Sequence, residues 1–446
     1  MKISKTKKAL LITASVIGAA AILVLAFFAG FWTKGALSNS SFDWAMKIIN
    51  EYYYKEIDAD NAEEVALDAV VAQYLDIYSE YYTAEEYAAQ QSANSGFKSG
   101  FGLSCSYIPG MGLTVMSVVG NSPVFASGLR AGDVILSGTV DGVTSQFNSL
   151  SDFNEFVSGL GENATVTFNT SENSFTVTKD TYSTSYVLFA TNDNAWTFTG
   201  DSALEMTESS SDKIEYLHDD TGYISLSQFY GNAPAQFRAA VEKFNEEGCT
   251  KLIIDLRSDG GGLVSVMQQI AACFEPCKDG LPAMTAKYRS GAEEVYDIKA
   301  ASSQPVISED TEVYILANSG SASASEALIG CLISYGVTDY DNIYISEYSE
   351  SYLSAVGLTA EEAKSGRTYG KGIMQSTFVN YLTGEALKLT TAQIYWPNGE
   401  TIHGTGLTSA EGAENRCNAV KAPLPLCGDG EELAAAVSAI YASAQQ

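Results

Sequence analysis

The chain has two histidines in 446 residues, and 25 lysines and arginines against 54 aspartates and glutamates, a net charge of −29. So few basic residues exclude a nucleic-acid partner, because phosphate contacts need clustered Lys and Arg. Cysteine is modest at seven residues. The closest spacing, Cys273 and Cys277 in "CFEPC", has no companion Cys or His at ligand spacing, so no metal site is predicted. Cys273–Cys277 and Cys417–Cys427 are the nearest candidate disulfide pairs, with buried free thiols as the alternative. What is present is a core-forming composition, 46% hydrophobic and only 18% charged. That predicts an ordered protein of two or three domains.

The one long hydrophobic run is at the start. Lys2, Lys5, Lys7 and Lys8 precede an uncharged stretch from Ala9 to Trp32. This matches the roughly 20 residues of a membrane-spanning helix, and the lysines place its N-terminus in the cytoplasm. A cleaved signal peptide would have a shorter apolar region, about 7–15 residues. The reading is therefore a single-pass anchor over 1–34, with everything after Lys34 outside the cytoplasm. Residues 42–92 read as short amphipathic helices, with Val65, Ala66, Ala69, Val70 and Tyr74 at helical spacing. "TAEE" at 83–86 is a capping box. The segment is either a connector or a dimerisation element of a homodimer.

After Ser92 the chain turns to Gly, Ser, Val and Thr. "SGFGLSCSY", "LTVMSVV", "GNSPVFASGLRAGDVI" and "TVTFNT" follow in order. This pattern resembles a PDZ domain at 98–180. Gly100, Phe101, Gly102 and Leu103 would then offer backbone N–H groups and a sheet edge to a peptide C-terminus, with Gly128 and Gly132 at tight turns. From 190 onward strands and helices alternate: 221–229 strand, 233–249 helix, 251–256 strand, a helix after Gly262, 312–318 strand, 325–336 helix. That order predicts an α/β core on a largely parallel sheet over 190–446.

Three turns in this core are candidates for chemistry. "DLRSDGGGLVS" (255–265) sets three glycines between a strand and a helix, where backbone N–H groups can hold an anion. It matches neither the P-loop nor the dinucleotide fingerprint, so an oxyanion is the alternative to a phosphate. "ANSGSASASEALIGCL" (317–332) places a serine at every second position. Ser323 and Glu326 form a capping box, and a serine at a strand-to-helix turn is also an exposed hydroxyl. "RTYGKGIMQSTF" (367–378) presents Lys371 from between two glycines, and "GIMQSTFVNYL" and "ALKLTTAQIYW" read as strands that place it at a sheet margin. A serine nucleophile needs a base; His218, His403 or a desolvated lysine could serve.

"KLIIDLRSDGGGLV", "YILANSGSASASEAL", "TYGKGIMQ" and "ALKLTTAQIYWPNGETIHGTGL", in that order, resemble the carboxy-terminal processing peptidases, or tail-specific proteases. The similarity covers roughly 42–440. It implies a Clp-protease/crotonase-like α/β core, a PDZ-like domain, and a Ser–Lys dyad with no metal, nucleotide or other cofactor. By motif position Ser323 is the nucleophile, Lys371 the general base, and Gln375 the residue that orients the lysine. The N–H groups of Ala324 and Gly261 form the oxyanion site. The implied partners are polypeptides with free C-terminal tails, captured by the PDZ-like domain.

The chain departs from the family pattern in one place above others. Ser323 and Lys371 are 48 positions apart, because an extra stretch of about 348–367 precedes the lysine. It reads as a loop and short helix that forms a lid, a substrate-selecting wall or an inhibitory flap. Two other functions compete: a catalytically inactive PDZ/peptidase-fold binding or scaffold protein, and a crotonase-like acyl-transfer enzyme.

Overall fold

A computed structural model describes residues 59–209, 212–301, 304–423 and 430–443. The expected membrane helix at 9–32 and Cys427 lie outside them. Among the described residues no helix is long and apolar enough to cross a membrane. The chain divides into two compact units, 1–77 and 78–446. In the first, the described structure is a helix, Ala59–Tyr74. Its predicted apolar stripe is largely exposed at Val65, Val70 and Tyr74.

The second unit is built on an eight-stranded sheet. We number its strands β1 (Val187–Ala190), β2 (Ala195–Thr199), β3 (Glu205–Ser209), β4 (Thr221–Leu226), β5 (Lys251–Asp255), β6 (Glu312–Ala317), β7 (Ile343–Tyr348) and β8 (Asn418–Ala422). The order across the sheet is β3-β2-β1-β4-β5-β6-β7-β8. From β4 to β8 every pairing is parallel, as the βα alternation predicts. The run Leu252-Ile253-Ile254 is buried throughout, as expected of a strand covered on both faces. Alternate side chains serve alternate cores. Leu252, Ile254 and Ile315 face helices α1 (Ala233–Glu246), α2 (Val264–Ala271) and α3 (Ala324–Ser334). Ile253, Tyr314 and Leu316 meet Leu433, Val437 and Ile440 of α4 (Glu431–Ser443).

An antiparallel sheet packs beside this core, and it includes the two strands expected after Lys371. It joins Glu80–Tyr82, Ala386–Tyr395, Pro282–Tyr288 and Glu293–Asp297, with Ile373–Val379 also on the long strand. Gly330 of α3 lets Trp396 seat against the helix: a Cβ there would lie 2.0 Å from the indole.

Residues 97–183 form a β-module with its own core, including Phe101, Leu113, Leu129, Ile135, Phe153 and Phe168. One sheet has three strands and another four, with helices Pro123–Ser127 and Leu150–Ser158. Gly128 is the left-handed C-cap of the first helix at φ 91°, and Gly132 has φ 94°. Phe97–Gly100 pairs with Asp180–Ser183 and closes the module's two ends. Thr83 caps helix Ala84–Asn94 through the predicted box with Glu86.

Candidate active site

Adjacent parallel strands bring two of the turns side by side. Asp255 at the end of β5 pairs with Leu316 near the end of β6. The glycine turn and the serine turn therefore leave the same edge of the sheet as neighbours, where open α/β sheets place their ligands. Buried charge anchors the first turn. Arg257 Nη2 bonds Asp255 Oδ2 at 2.6 Å, Tyr223 donates to the same oxygen at 2.6 Å, and Arg257 Nη1 lies 3.2 Å from Glu432 of α4.

The alternating serines divide the work. Ser321 donates to the Leu256 carbonyl at 2.7 Å, and Ser325 to the Asp259 carbonyl at 2.7 Å. Ser319 shares a hydrogen bond with the Tyr348 hydroxyl at 2.7 Å. Asn318 Oδ1 accepts from the N–H groups of Ser258 and Gly320. These bonds stitch the serine turn to the glycine turn on both sides of Ser323. Ser323 itself has φ 58° and ψ −113°, a backbone that non-glycine residues adopt only where the surroundings impose it. Glycine is required opposite. A Cβ on Gly261 would lie 2.6 Å from the Ala322 carbonyl oxygen, 2.7 Å from Ala324 N and 2.9 Å from Ser323 Cβ. Ala324 begins α3, so its N–H has no intrahelical acceptor. The Gly261 N–H, expected at an oxyanion, instead donates to Asp259 Oδ1 at 2.8 Å.

Glu326 joins the third turn to the second, and its motif position had suggested only a helix cap. It is fully buried. Oε1 accepts from Thr368 Oγ1 (2.6 Å) and Gly370 N (2.7 Å); Oε2 accepts from Ser323 N (3.0 Å) and Lys371 N (2.9 Å). One oxygen thus holds the backbones of Ser323 and Lys371. Burial pushes the Glu326 carboxyl up, opposed by these hydrogen bonds. Asp259 is also fully buried, its Oδ2 has no hydrogen-bond partner among the described residues, and burial pushes it well up.

A cleft of about 430 Å³ opens here, lined by Gly260, Ser319, Gly320, Ala322, Lys371, Tyr78 and Tyr369. Lys371 Nζ lies 4.5 Å from the centre of the Tyr78 ring. Gln375 is on the strand that follows, where its amide nitrogen donates to Thr390 at 3.0 Å. His218 precedes β4, at the opposite end of the parallel strands from the cleft, and stacks on Tyr441 at 3.5 Å. His403 has an exposed ring and a backbone nitrogen only 2.8 Å from where a Gly372 Cβ would lie. Gly100–Leu103 belong to the β-module. Phe101 is buried in its core, and Gly102 packs so closely on Ser122 that a Cβ would fall 2.2 Å from the serine's.

The insertion is a loop and short helix, Glu350–Val356, and it touches two residues that line the cleft, Ser319 through Tyr348 and Tyr369 through Lys364. Of the candidate disulfides, Cys273 and Cys277 are free buried thiols.

A family model described as Peptidase family S41 matches residues 220–339, a span that holds the glycine turn, Ser323 and Glu326. A CtpA-like serine protease of Staphylococcus aureus (strain MSSA476) is 26% identical over 399 residues, covering 89% of this chain and 69% of that one. The counterpart from Staphylococcus haemolyticus (strain JCSC1435) is 25% identical over 398 residues with the same coverage. Among solved structures, an S41 protease from Bacteroides fragilis shares the fold with a TM-score of 0.55 at 14% identity, over 90% of this chain and 97% of that one. Residues 220–339 carry a Peptidase family S41 domain, and with CtpA-like serine proteases similar to it over most of its length the chain is a serine-type peptidase.

Proposed function

We propose that the protein is a membrane-anchored, extracytoplasmic endopeptidase that cleaves polypeptides near their C-termini through a Ser–Lys dyad. Ser323 Oγ attacks the scissile carbonyl, and Lys371 as free amine takes the hydroxyl proton and returns it to the leaving amine. Water then hydrolyses the acyl-enzyme, with Lys371 again as base. Gln375 orients the lysine. The Ala324 N–H stabilises the oxyanion, joined by that of Gly261 once it exchanges Asp259 for the substrate. The β-module captures the substrate tail at Gly100–Leu103 by strand addition. The apolar run at 9–32 supplies the anchor, and the N-terminal helical segment is the candidate homodimer contact.

The observation that carries this reading is the single carboxylate oxygen of Glu326 shared by the backbone N–H groups of Ser323 and Lys371. Two backbones 48 positions apart are thereby tied to one carboxylate oxygen, which supports a shared site.

The test is labelling by a serine-reactive fluorophosphonate, together with turnover of peptides that end in a free or an amidated C-terminus. Wild type is expected to label and to prefer the free terminus. Ser323→Ala and Lys371→Ala are expected to do neither. Lys371→Arg is expected to fail as well, since a guanidinium does not give up its proton. Equal labelling of wild type and Ser323→Ala would overturn the assignment, and a folded wild type that never labels points to a binding-only protein.

A further inference from the structure

A dyad lysine works as an uncharged amine, yet Lys371 Nζ sits 4.5 Å from the centre of the Tyr78 ring. The face of an aromatic ring attracts a cation and gives little to a neutral amine. The contact therefore favours the form of Lys371 that is not a base.

Tyr78 is held in place by a chain of contacts that ends in the insertion. Its hydroxyl donates to the Tyr369 hydroxyl at 2.8 Å, with the two rings edge to face at 6.4 Å. The Tyr369 N–H donates to the Ser321 carbonyl at 3.0 Å. Lys364 donates to the Tyr369 carbonyl at 2.8 Å, and its ammonium lies 3.3 Å from the centre of the Tyr369 ring. Lys364 takes a left-handed backbone, φ 51°, at the end of the 348–367 stretch. Both tyrosines line the cleft. Two lysines thus bracket a tyrosine pair, one from the proposed dyad and one from the stretch that sets this chain apart.

We propose that Tyr78 is a positioning residue that caps Lys371 as ammonium in the resting enzyme, and that Lys364 fixes this cap through Tyr369. This rests on Lys371 being the base. Substrate entering the cleft parts the tyrosines, and the uncapped ammonium then gives up its proton to solvent water to become the free amine. Ionisable groups near Lys371 among the described residues include the Glu326 carboxyl, which accepts its backbone N–H, the Tyr369 phenol across the cleft with the Lys364 ammonium on its ring, and His403, whose backbone packs on Gly372.

The experiment follows the rate of fluorophosphonate labelling of the full chain across a pH series. An aromatic face worth a factor of about 2–30 in the protonation equilibrium corresponds to about 0.4–1.5 pH units. Tyr78→Leu is expected to move the midpoint of labelling to lower pH by that amount. Tyr78→Phe keeps the ring and is expected to stay with wild type. Lys364→Met loosens Tyr369 without touching the ring over Lys371, so a smaller shift in the same direction is expected. A Tyr78→Leu midpoint at or above the wild-type one overturns the cap. If that variant does not fold, an unmoved midpoint in Lys364→Met overturns the proposal instead. Lys371→Ala in the same series separates the two readings: labelling at the wild-type rate sinks the lysine base itself, whereas labelling that needs Lys371 but ignores Tyr78 sinks only the cap.

Discussion

Replacing Glu326 tests whether one buried carboxylate sets the geometry of the site. Its two oxygens accept four hydrogen bonds, from Thr368 Oγ1, Gly370 N, Ser323 N and Lys371 N. Glu326→Gln offers one acceptor oxygen and an NH₂ that can only donate. Turned toward Thr368 and Gly370, the amide finds an acceptor in the threonine hydroxyl but leaves the Gly370 N–H facing another donor. Turned the other way, it orphans the N–H groups of both Ser323 and Lys371. Each orphaned buried donor costs about 1–3 kcal/mol. The first orientation is therefore preferred, with a stability loss of about 1–3 kcal/mol and the Ser323–Lys371 tie intact. Glu326→Ala removes both acceptor oxygens and with them all four hydrogen bonds, which leaves the lysine turn tied to the serine turn by the Tyr369 N–H on the Ser321 carbonyl and frees the backbones of Ser323 and Lys371 to separate. Misplacing a catalytic group by about 1 Å can cost on the order of a hundredfold in rate. The assay is fluorophosphonate labelling rate beside urea denaturation. Gln is expected to lose stability but keep most of the labelling, and Ala to lose at least about a hundredfold in labelling. A folded Ala variant that labels at the wild-type rate would refute the reasoning, because Glu326 would then be a helix cap and nothing more.

Other consequences concern the same turns. Burial raises Asp259, so the folded state takes up a proton more readily than the unfolded chain. The stability this contributes is full below the ordinary aspartate value of about 4 and is lost as pH rises toward the folded value. Asp259→Asn cannot ionise and keeps an oxygen for the Gly261 N–H. Denaturation midpoints of wild type are thus expected to fall behind those of the variant as pH rises above about 4, and a gap that stays constant with pH would contradict the burial argument. The positive φ of Ser323 stores strain of about 1–3 kcal/mol, which Ser323→Gly releases at the expense of about 0.4–1 kcal/mol in unfolded-chain entropy. Both Ser323→Gly and Ser323→Ala are expected to be inactive, with the glycine variant more stable by about 1 kcal/mol. A less stable glycine variant would mean the turn is unstrained.

The sequence by itself determined the core. Continuous apolar runs such as Leu252–Ile254, punctuated by helices of 3.6-residue period, admit little other than a parallel sheet covered on both faces. It also determined which turns end those strands, and hence where Ser323 and the glycines stand. Period and turn chemistry are local, so they can be read in one dimension. The tertiary structure alone decided how the third turn meets the second. Nothing near Glu326 in the chain announces that its carboxylate will bind the backbone of Lys371, 45 positions on. Nor does the pattern around Tyr78 announce a ring against that lysine. The two strands after Lys371, 373–379 and 386–395, were legible as apolar segments, but their pairing with residues 80–82 and 282–297, far apart in the chain, was not. Long-range pairing follows from which surfaces must be buried together, a property of the folded molecule that no single segment carries.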